Sequence, residues 1–447
     1  MAVATPSRQQ VPQPARGIWP GLFTPPHAAV HAAAARAIVR RAVRRLPLRL
    51  AFPDGDRWGG GGPDSPTLRV TRPDAFFARL GRDGLIGLGE AWMTGDLTAG
   101  DWRPSGATRG VSERIGTLDP VVLDAATDEL ADALTVLAGR LTRLVPKPLQ
   151  VLRRLWQAHQ PATERNTVTG ARQNIHRHYD LSNDMFALFL DESMTYSAAW
   201  FEPADGDDLH AAQLRKIDGI LDLARVRPGS RLVEIGSGWG ALAIRAAAER
   251  QATVTTLTLS VEQREWALRR IAEAGLSDRI QVLLQDYRVH AARHRQAYDA
   301  AVSVEMIEAV GRQFWPDYFS SVQAMLRPGG RFGLQAITVD HAQLLATSGS
   351  YTWIHKYVFP GGELTSLPGI DQVLARRTAM RVLESRSLGS SYARTLRLWR
   401  HRFNAASSRA ADLGFDETFR RMWTFYLAYS EAGFASGYLD DWQLGIG

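Results

Sequence analysis

A glycine-rich loop that begins with a carboxylate is the part of the sequence best suited to holding a small ligand. It reads Glu234-Ile-Gly236-Ser-Gly238-Trp-Gly240. Glycines let the backbone turn tightly and approach a ligand closely, and a helix that starts after such a loop offers free N–H groups. The pattern therefore predicts a nucleotide-like ligand. A tight strand-to-helix turn without a ligand is the alternative.

The same loop fits a degenerate dinucleotide fingerprint, G-x-G-x-x-A, from Gly236 to Ala241. That fingerprint includes an acidic residue about 20 residues later, at the end of the second strand. Thr258 and Leu259 occupy that place instead, and Gln263 follows just inside the next helix. This departure disfavours NAD.

Strands and helices alternate around the loop. Helical patterns begin near Gly240, Val261 and Phe314, between apolar segments that predict strands at 231–235, 253–258, 280–284, 300–304 and 331–337. Alternation at this spacing predicts a doubly wound, Rossmann-like α/β sheet of parallel strands. Ligands of such sheets bind beyond the carboxyl ends of the strands, where the glycine loop lies.

Positive charge is concentrated at the start of the chain. The 447 residues carry a formal net charge of +7, but residues 1–50 hold eight arginines and no Asp or Glu, so the rest sums to −1. A nearly neutral body disfavours a nucleic-acid channel. The chain has no cysteine, which excludes disulfides, thiolate metal sites and cysteine nucleophiles.

Residues 28–46 predict an amphipathic helix. The five arginines from Arg36 to Arg45 fall on one side of a helical wheel, and Ile38, Val39 and Val43 fall on the other. One interpretation is an interfacial helix attracted to anionic lipid. The other is a helix packed on its own domain with the arginines in solvent. The pattern is compatible with both.

Pro-rich and polar stretches divide the chain into four predicted parts. These are a disordered basic N-terminus at 1–27, a small α+β N-terminal domain at 28–145, a linker at 146–171 and the α/β domain at 172–447. No apolar run reaches the roughly 18 residues that span a bilayer, and the first 25 residues lack the apolar core of a secretory signal. We therefore expect a cytoplasmic protein.

Further motifs run in order from residue 86 towards the C-terminus. They are 86–95 (IGLGEAWMTG), 173–186 (QNIHRHYDLSNDMF), 190–197 (LDESMTYS), 305–308 (EMIE), 353–362 (WIHKYVFPGG), 392–399 (YARTLRLW) and 423–434 (WTFYLAYSEAGF). Together they resemble the cyclopropane-fatty-acyl-phospholipid synthases, a family of S-adenosylmethionine-dependent enzymes. The similarity extends from about residue 65 to the C-terminus.

The resemblance implies a class I methyltransferase sheet with helical insertions and S-adenosylmethionine as the cofactor. For two of the implied contacts a purely structural role is the alternative: Thr258 could be an ordinary strand residue, and Gln263 could be an ordinary residue of the first turn of a helix. The implied cofactor contacts are Tyr196, Ser197, Glu234, Gly236, Gly238, Gly240, Thr258, Leu259, Gln263, Tyr287 and Arg288.

The resemblance also implies a bound bicarbonate ion as the base that removes a proton from the substrate. Its carried-over ligands are Glu308, Ile337 and Tyr392, with Ala198 and Gln335 where the family usually has a cysteine and a histidine. Alanine still supplies a backbone N–H, whereas glutamine cannot titrate. We therefore expect an altered ion site.

No metal is predicted. His176 and His178 are two apart in sequence but no third ligand is in sight, so exposed or hydrogen-bonding roles are favoured over metal binding.

The implied reaction is methyl transfer to the double bond of an unsaturated phospholipid acyl chain. The patterns at 305–308, 335–338 and 429–438 are most similar to the actinobacterial branch that makes 10-methylene-stearoyl lipids from oleoyl lipids. We therefore favour a methylene product over a cyclopropane ring. Two further hypotheses are a non-catalytic lipid- or cofactor-binding homologue, motivated by Ala198 and Gln335, and a base or small-molecule methyltransferase.

This interpretation predicts several partners. We expect an unsaturated phospholipid substrate, peripheral association with the anionic inner face of the membrane and a separate reductase that acts on a methylene product. No nucleic-acid partner is expected. A homodimer is one oligomeric state that the sequence leaves open.

Overall fold

The computed structural model describes residues 19–100, 119–140, 182–347 and 349–447. The predicted linker at 146–171, most of the predicted disordered N-terminus, His176 and His178 lie outside these residues. The chain forms two compact units, Met1–Ala133 with Arg400–Tyr426, and Leu134–Trp399 with Leu427–Gly447. The predicted domain at 172–447 thus differs from the second unit, because Arg400–Tyr426 belongs to the first.

The first unit combines helices with a small sheet. Its strands follow the order β2-β1-β3-β4, in which β1 and β3 are parallel and the other pairs antiparallel. Its elements are α1 (Ala29–Val43), β1 (Arg49–Ala51), β2 (Arg57–Trp58), β3 (Thr67–Val70), α2 (Pro73–Asp83), α3 (Leu85–Met93), β4 (Leu97–Ala99) and the start of α4 (Pro120–Ala138).

The N-terminal helix α1 packs on its own unit. Ala35 and Val43 are buried, and Gly81 of α2 approaches so closely that a Cβ there would lie 2.4 Å from the His31 carbonyl oxygen. Apolar side chains nevertheless stay in solvent, since Val30 is 80% exposed and Ile38 is 54% exposed. The helix therefore packs on its own unit, as one of the two interpretations predicted. It also exposes a second, partly apolar face to solvent.

Buried arginines explain why a distant segment joins the first unit. The Arg400 guanidinium lies 2.7 Å from the Asp128 carboxylate. Arg421 donates hydrogen bonds to the carbonyl oxygens of Trp92, at 2.7 Å, and Leu97, at 3.2 Å. A sequence pattern does not reveal which distant backbone carbonyls such side chains will reach.

The second unit contains the predicted α/β sheet. The strands follow the order β10-β11-β9-β8-β5-β6-β7. Its strands are β5 (Arg231–Ile235), β6 (Thr253–Thr258), β7 (Ile280–Leu284), β8 (Tyr298–Val304), β9 (Leu326–Val339), β10 (Val382–Ser387) and β11 (Leu439–Ile446). The five strands β5 to β9 are parallel, as predicted. The antiparallel pair β10 and β11, which lies beside β9, was not predicted.

Helices fill the connections between these strands. They are α5 (Asn183–Phe186), α6 (Leu209–Leu223), α7 (Ala241–Arg250), α8 (Val261–Glu273), α9 (Tyr287–Arg293), α10 (Trp315–Met325), α11 (His341–Thr347), α12 (Trp353–Tyr357), α13 (Leu367–Arg377), α14 (Gly389–Ala405), α15 (Ser407–Asp412) and α16 (Glu417–Ala435). No helix among the described residues is both long enough and apolar enough to cross a bilayer.

Two apolar clusters cover the two faces of the large sheet. Val233 and Phe332 belong to one cluster with Phe319 of α10, whereas Leu232 belongs to the other with Ile220 of α6. Neighbouring residues of a strand point to opposite faces, so continuous apolar strands are buried on both sides. This packing holds the carboxyl ends of the parallel strands at one edge.

Candidate active site

The glycine loop adopts a backbone that other residues rarely tolerate. It follows β5 directly, with φ angles of +97° at Gly236, +47° at Gly238 and +91° at Gly240, and α7 begins at the next residue. A Cβ at Gly236 would lie 2.4 Å from Cγ of Met306. Both the backbone and the space at Gly236 therefore require glycine.

Buried polar atoms around this loop have no hydrogen-bond partner among the described residues. They are Oε2 of Glu234, Oγ of Ser237 and the hydroxyl of Tyr287. Burial raises the pKa of Glu234 to about 8, opposed by the charge of Lys216. Buried polar groups normally find partners. Unpaired atoms at the carboxyl ends of β5 and β7 thus fit a polar ligand such as S-adenosylmethionine.

The second strand contributes a connected polar cluster to the same edge. The Thr258 hydroxyl donates to Oε1 of Gln263 at 3.1 Å, and the Gln263 backbone N–H donates to Oγ of Ser260 at 3.1 Å. Ser260 thereby caps α8 and fixes Gln263 beside Thr258. Thr258, Leu259 and Gln263 lie together between β6 and α8, as a shared cofactor site requires.

Arg288 is held by a residue that the sequence analysis did not single out as a site residue. The carboxylate of Asp286 accepts hydrogen bonds from the Arg288 backbone N–H at 2.8 Å and from its guanidinium at 2.8 and 2.6 Å. The guanidinium also lies 5.3 Å from the ring centre of Tyr287. Asp286 therefore fixes the orientation of both predicted contacts, and its place after the third strand was the available signal.

The segment before α6 carries the remaining predicted cofactor contacts. The Tyr196 ring lies 5.1 Å from that of Phe186 and 5.3 Å from that of Trp399, between ring centres. Ser197 is buried, and its carbonyl oxygen accepts a hydrogen bond from Gln213 of α6 at 2.8 Å. These contacts hold the segment against Phe186, Trp399 and helix α6.

The predicted ion ligands converge on Glu305. Its Oε1 accepts hydrogen bonds from the Ala198 backbone N–H at 2.8 Å and from Nε2 of Gln335 at 2.9 Å, and its Oε2 accepts one from the Tyr392 hydroxyl at 2.7 Å. Glu305 has a φ of +49°, which is uncommon outside glycine and typical of functional sites. The sequence analysis placed Glu305 in a motif but assigned the functional carboxylate to Glu308.

These contacts correct the expectation of a bicarbonate ion. The three donors expected to hold the ion from Ala198, Gln335 and Tyr392 already hold the carboxylate of Glu305. A second anion at the same position would meet a negative charge and find its donors occupied. The residues present therefore do not fit bicarbonate there, and Glu305 supplies an equivalent carboxylate from the chain itself.

Glu308 lies beside this carboxylate in a different environment. Its Oε1 accepts a hydrogen bond from the Ile337 backbone N–H at 2.6 Å, while its buried Oε2 has no partner among the described residues. Burial and the nearby charge of Glu305 raise the pKa of Glu308 to about 8. At neutral pH Glu308 therefore mainly retains its proton, and the coupling between the two carboxyl groups disfavours a charge on both.

A buried layer orients Gln335 from behind. Nε2 of Gln335 also donates to Oδ2 of Asp441 at 2.8 Å, and Oε1 of Gln335 accepts from Nε2 of Gln443 at 3.1 Å. Asp441 and Gln443 belong to β11, the antiparallel strand beside β9. Burial and the charges of Glu305 and Glu308 raise the pKa of Asp441 well above its ordinary range. This layer fixes which end of the Gln335 amide faces Glu305.

One group of potential metal ligands occurs among the described residues. It comprises Asp191, Glu192 and His210, and Oδ2 of Asp191 lies 2.8 Å from Nδ1 of His210. The Asp191 carboxylate already accepts hydrogen bonds from the backbone N–H and hydroxyl of Ser193, both at 2.9 Å. These contacts account for the cluster, and the expectation of no metal stays a prediction.

Replacing Gly236 by alanine is expected to weaken the binding of S-adenosylmethionine by at least about tenfold. A positive φ costs a non-glycine residue about 1–2 kcal/mol, and the added Cβ must also displace Met306. A tenfold change corresponds to about 1.4 kcal/mol. Isothermal titration calorimetry measures the affinity.

The matched control is Gly229→Ala, in the turn before β5. Gly229 also has a positive φ, of +82°, but an added Cβ there would meet no atom within 4 Å. Its affinity for the cofactor should equal that of the wild type. An unchanged affinity in Gly236→Ala would contradict the placement of the cofactor at this loop.

The second unit is similar to known methyltransferases, and most of the chain matches full-length relatives. Residues 166–444 match the family described as mycolic acid cyclopropane synthetase. The tuberculostearic acid methyltransferase UfaA1 of Mycobacterium tuberculosis is 47% identical over 404 residues, which cover 89% of this chain and 87% of that protein. The cyclopropane-fatty-acyl-phospholipid synthase of Escherichia coli is 33% identical over 383 residues, covering 84% and 86%.

A solved structure supports the same assignment. The mycolic acid cyclopropane synthase CmaA1, complexed with SAH and CTAB, superposes with a TM-score of 0.56 at 30% identity and covers 64% of this chain and 98% of that one. The predicted family, fold class and cofactor are confirmed. The chain belongs to the mycolic acid cyclopropane synthetase family and is an S-adenosylmethionine-dependent methyltransferase.

Proposed function

We propose that this enzyme methylates the double bond of an oleoyl-type chain in a phospholipid and forms a 10-methylene acyl product. The observation that carries the methylation step is the carboxylate of Glu305, which Ala198, Gln335 and Tyr392 hold in place and which can serve as the base that the reaction needs. The fold and the family supply the methyl donor. The fold and the family alone do not identify the acyl substrate or the product, which we propose here.

The reaction requires a dry, apolar pocket that tolerates a positive charge. An alkene is a weak nucleophile, and its attack on a methyl group leaves a carbocation that water would quench. The Tyr392 ring lies 4.4 Å from that of Phe434 and 6.2 Å from that of Trp399, between ring centres. All three side chains are buried. Aromatic faces stabilise cations, so this group suits both needs.

S-adenosylmethionine, when bound, supplies an electrophilic methyl group. We infer that the glycine loop, Glu234 and the cluster around Gln263 hold it. Glu234 and Ser237 have buried polar atoms without a partner among the described residues, and α7 begins directly after the loop. Tyr196 and Ser197 belong to the segment that leads to Ala198. Three consecutive residues therefore serve both sites: Tyr196 and Ser197 are predicted to contact the cofactor, and the Ala198 N–H donates to Glu305.

Proton removal then decides the product. Addition of the methyl group to one alkene carbon leaves the positive charge on the other. A hydride shift moves the charge to the methylated carbon, and loss of a methyl proton forms the exocyclic methylene. Direct loss of that proton with ring closure forms a cyclopropane instead. Each route releases one proton, which Glu305 accepts.

The relatives favour the methylene product while keeping the ring as the second candidate. The 47% identical relative is named as a tuberculostearic acid methyltransferase, and the 33% identical one as a cyclopropane synthase. The proposed methylene product still needs reduction to become a methyl branch. We therefore propose a separate reductase as a downstream partner. A homodimer stays a prediction.

Access to a membrane substrate is proposed to use α1. The outward face of this helix exposes the apolar residues Val30 and Ile38. Exposed arginines follow at Arg41 and, just after the end of the helix, at Arg44 and Arg45. An apolar stripe beside exposed arginines suits the boundary between acyl chains and anionic head groups. We infer peripheral association with the cytoplasmic leaflet.

Wild-type enzyme given methyl-labelled S-adenosylmethionine and oleoyl phospholipid should label the fatty acid. Mass spectrometry and NMR of the released acid should show an exocyclic methylene. Glu305→Gln keeps the shape of the side chain but cannot accept the proton, so turnover should fall by about 10²–10⁴-fold. Calorimetry should show cofactor binding unchanged.

The matched control is Glu249→Gln, an exposed residue of α7 that should retain wild-type turnover. A cyclopropane product would replace the methylene proposal with the second candidate. Cofactor binding without any labelled lipid would favour a non-catalytic homologue. Full activity in Glu305→Gln would remove Glu305 from the mechanism.

Neutralising the three exposed arginines at and just after the end of α1 should weaken membrane binding. The triple variant Arg41→Gln, Arg44→Gln and Arg45→Gln changes exposed side chains and leaves the buried Ala35 and Val43 in place. Each arginine is expected to contribute about 1 kcal/mol towards an anionic surface. Affinity for phosphatidylglycerol vesicles should therefore fall by about 100-fold, as measured by co-sedimentation.

A charge-matched variant provides the control. Arg295→Gln, Arg376→Gln and Arg377→Gln remove the same charge from exposed positions in the second unit. This protein should bind vesicles like the wild type. Equal binding by the α1 variant would show that the helix does not contact the membrane.

A further inference from the structure

A buried lysine lies next to the proposed base and has no role in the mechanism above. The chain contains three lysines, Lys147, Lys216 and Lys356, against fifty arginines. Lys216, in the middle of α6, is 1% exposed. Burial of an ammonium group is unfavourable unless hydrogen bonds and opposite charges compensate for the lost water. Its surroundings should therefore reveal what it stabilises.

Lys216 fixes the segment that carries one of the donors to Glu305. Its Nζ donates a hydrogen bond to Oγ of Ser197. Gln213, one turn earlier on α6, donates to the Ser197 carbonyl oxygen at 2.8 Å. Ala198 is the next residue, and its N–H donates to Glu305. Helix α6 thus holds Ser197 through both its side chain and its backbone.

The backbone of Lys216 also contributes to the orientation of Gln335. Nε2 of Gln443 donates to the Lys216 carbonyl oxygen at 2.9 Å and to Oε1 of Gln335 at 3.1 Å. The Gln335 amide nitrogen must then face Glu305 and Asp441. Two of the three donors to Glu305 therefore depend on contacts with α6.

Carboxylates from four elements act electrostatically on the Lys216 ammonium group. They are Glu305 after β8, Asp441 of β11, Glu234 of β5 and Asp191 before α6. Burial lowers the pKa of Lys216 to about 8, and these carboxylates oppose that fall. The lysine is thus the cation around which the buried acids are arranged.

The groups around Glu305 itself are otherwise acidic or neutral. Tyr392 and Gln335 donate hydrogen bonds, Glu308 and Asp441 add carboxyl groups, and Lys216 adds the positive charge. Arg386 of β10 contacts Oε1 of Gln443 at 3.4 Å, and Gln443 in turn contacts Gln335. Lys216 is one of the groups that oppose the effect of burial on the pKa of Glu305, so its loss should favour the protonated form of this carboxyl group.

We propose that Lys216 is a positioning residue for methyl transfer. Its positive charge favours the ionised form of Glu305, and its contacts with Ser197 and Gln443 keep the donors to Glu305 in place. This inference rests on the proposed role of Glu305. The ammonium acts through the carboxylate and touches neither substrate nor reacting atoms. Its removal should change the pH dependence of the reaction, which loss of packing alone would not do.

The first test compares pH profiles of kcat/KM for three variants. Lys216→Met removes the charge and should move the acidic limb upward by about one pH unit or more, because a positive charge that lowers the pKa of Glu305 is lost. Lys216→Arg retains the charge and should keep the limb near its wild-type position. Ser197→Ala removes the hydrogen bond but not the charge, so its limb should also stay in place.

A second test does not require a variant at Lys216. In the protein carrying Lys147→Arg and Lys356→Arg, Lys216 is the only lysine. Selective ¹³C labelling of lysine then gives one Cε signal whose titration by NMR reports Lys216 alone. Adding Glu305→Gln should lower the pKa of Lys216 by about one unit or more, because a facing negative charge is lost.

The outcomes separate this inference from the proposed function. An acidic limb that stays in place in Lys216→Met, or a Lys216 titration that ignores Glu305→Gln, would overturn the inference even if the enzyme makes the methylene product. Absence of labelled lipid with the wild type would instead overturn the proposed function. The NMR titration does not depend on turnover and remains decisive if Lys216→Met fails to fold.

Discussion

A carboxylate that is buried in its charged form must be surrounded by donors, because neither water nor a high dielectric is available to stabilise it. Glu305 meets this requirement with a backbone N–H, an amide and a phenol, and with the ammonium of Lys216 nearby. Burial still raises the pKa of Glu305, so the donors oppose the desolvation without abolishing it. This balance leaves a carboxylate whose pKa lies above the ordinary value, which makes it a stronger proton acceptor than an exposed carboxylate. Proton removal from a carbocation needs such a group.

The architecture of the second unit follows from this requirement. The donors come from separate parts of the chain: the segment before α6, strand β9 and helix α14. Strand β11 adds Asp441 and Gln443 behind Gln335, and therefore the antiparallel edge of the sheet belongs to the active site. The positive φ of Glu305 turns its side chain out of line with β8 towards these partners. Strain of this kind persists where the surrounding contacts over-determine the conformation.

Local patterns predicted the frame of the second unit well. The limits of β5, β6 and β7 agree with the sequence analysis, because short runs of apolar and β-branched residues between polar turns define these strands. The glycine loop was equally clear, since φ values of +97° and +91° leave few alternatives to Gly236 and Gly240. The convergence of Ala198, Gln335 and Tyr392 was also anticipated, although the group at their centre was not.

The remaining features depend on distant contacts that a pattern does not encode. Glu305 and Glu308 stand three residues apart in one motif, and only the backbone turn at Glu305 decides which carboxylate meets the donors. Residues 439–446 form a strand because they pair with β9, and Arg400 and Arg421 join the first unit because they reach Asp128 and two backbone carbonyl groups. The outward apolar face of α1 became visible only once Ala35 and Val43 were seen to be buried on the other side.

We propose that a carboxylate of the chain, Glu305, replaces a bound bicarbonate ion as the base. This proposal is tested most directly by measuring kcat/KM of the wild-type enzyme in buffer freed of carbon dioxide and in the same buffer with added bicarbonate at the same pH. Because Glu305 occupies the donors that would hold the ion, the two values should be equal. A loss of activity in the carbon dioxide-free buffer that bicarbonate restores would contradict the account.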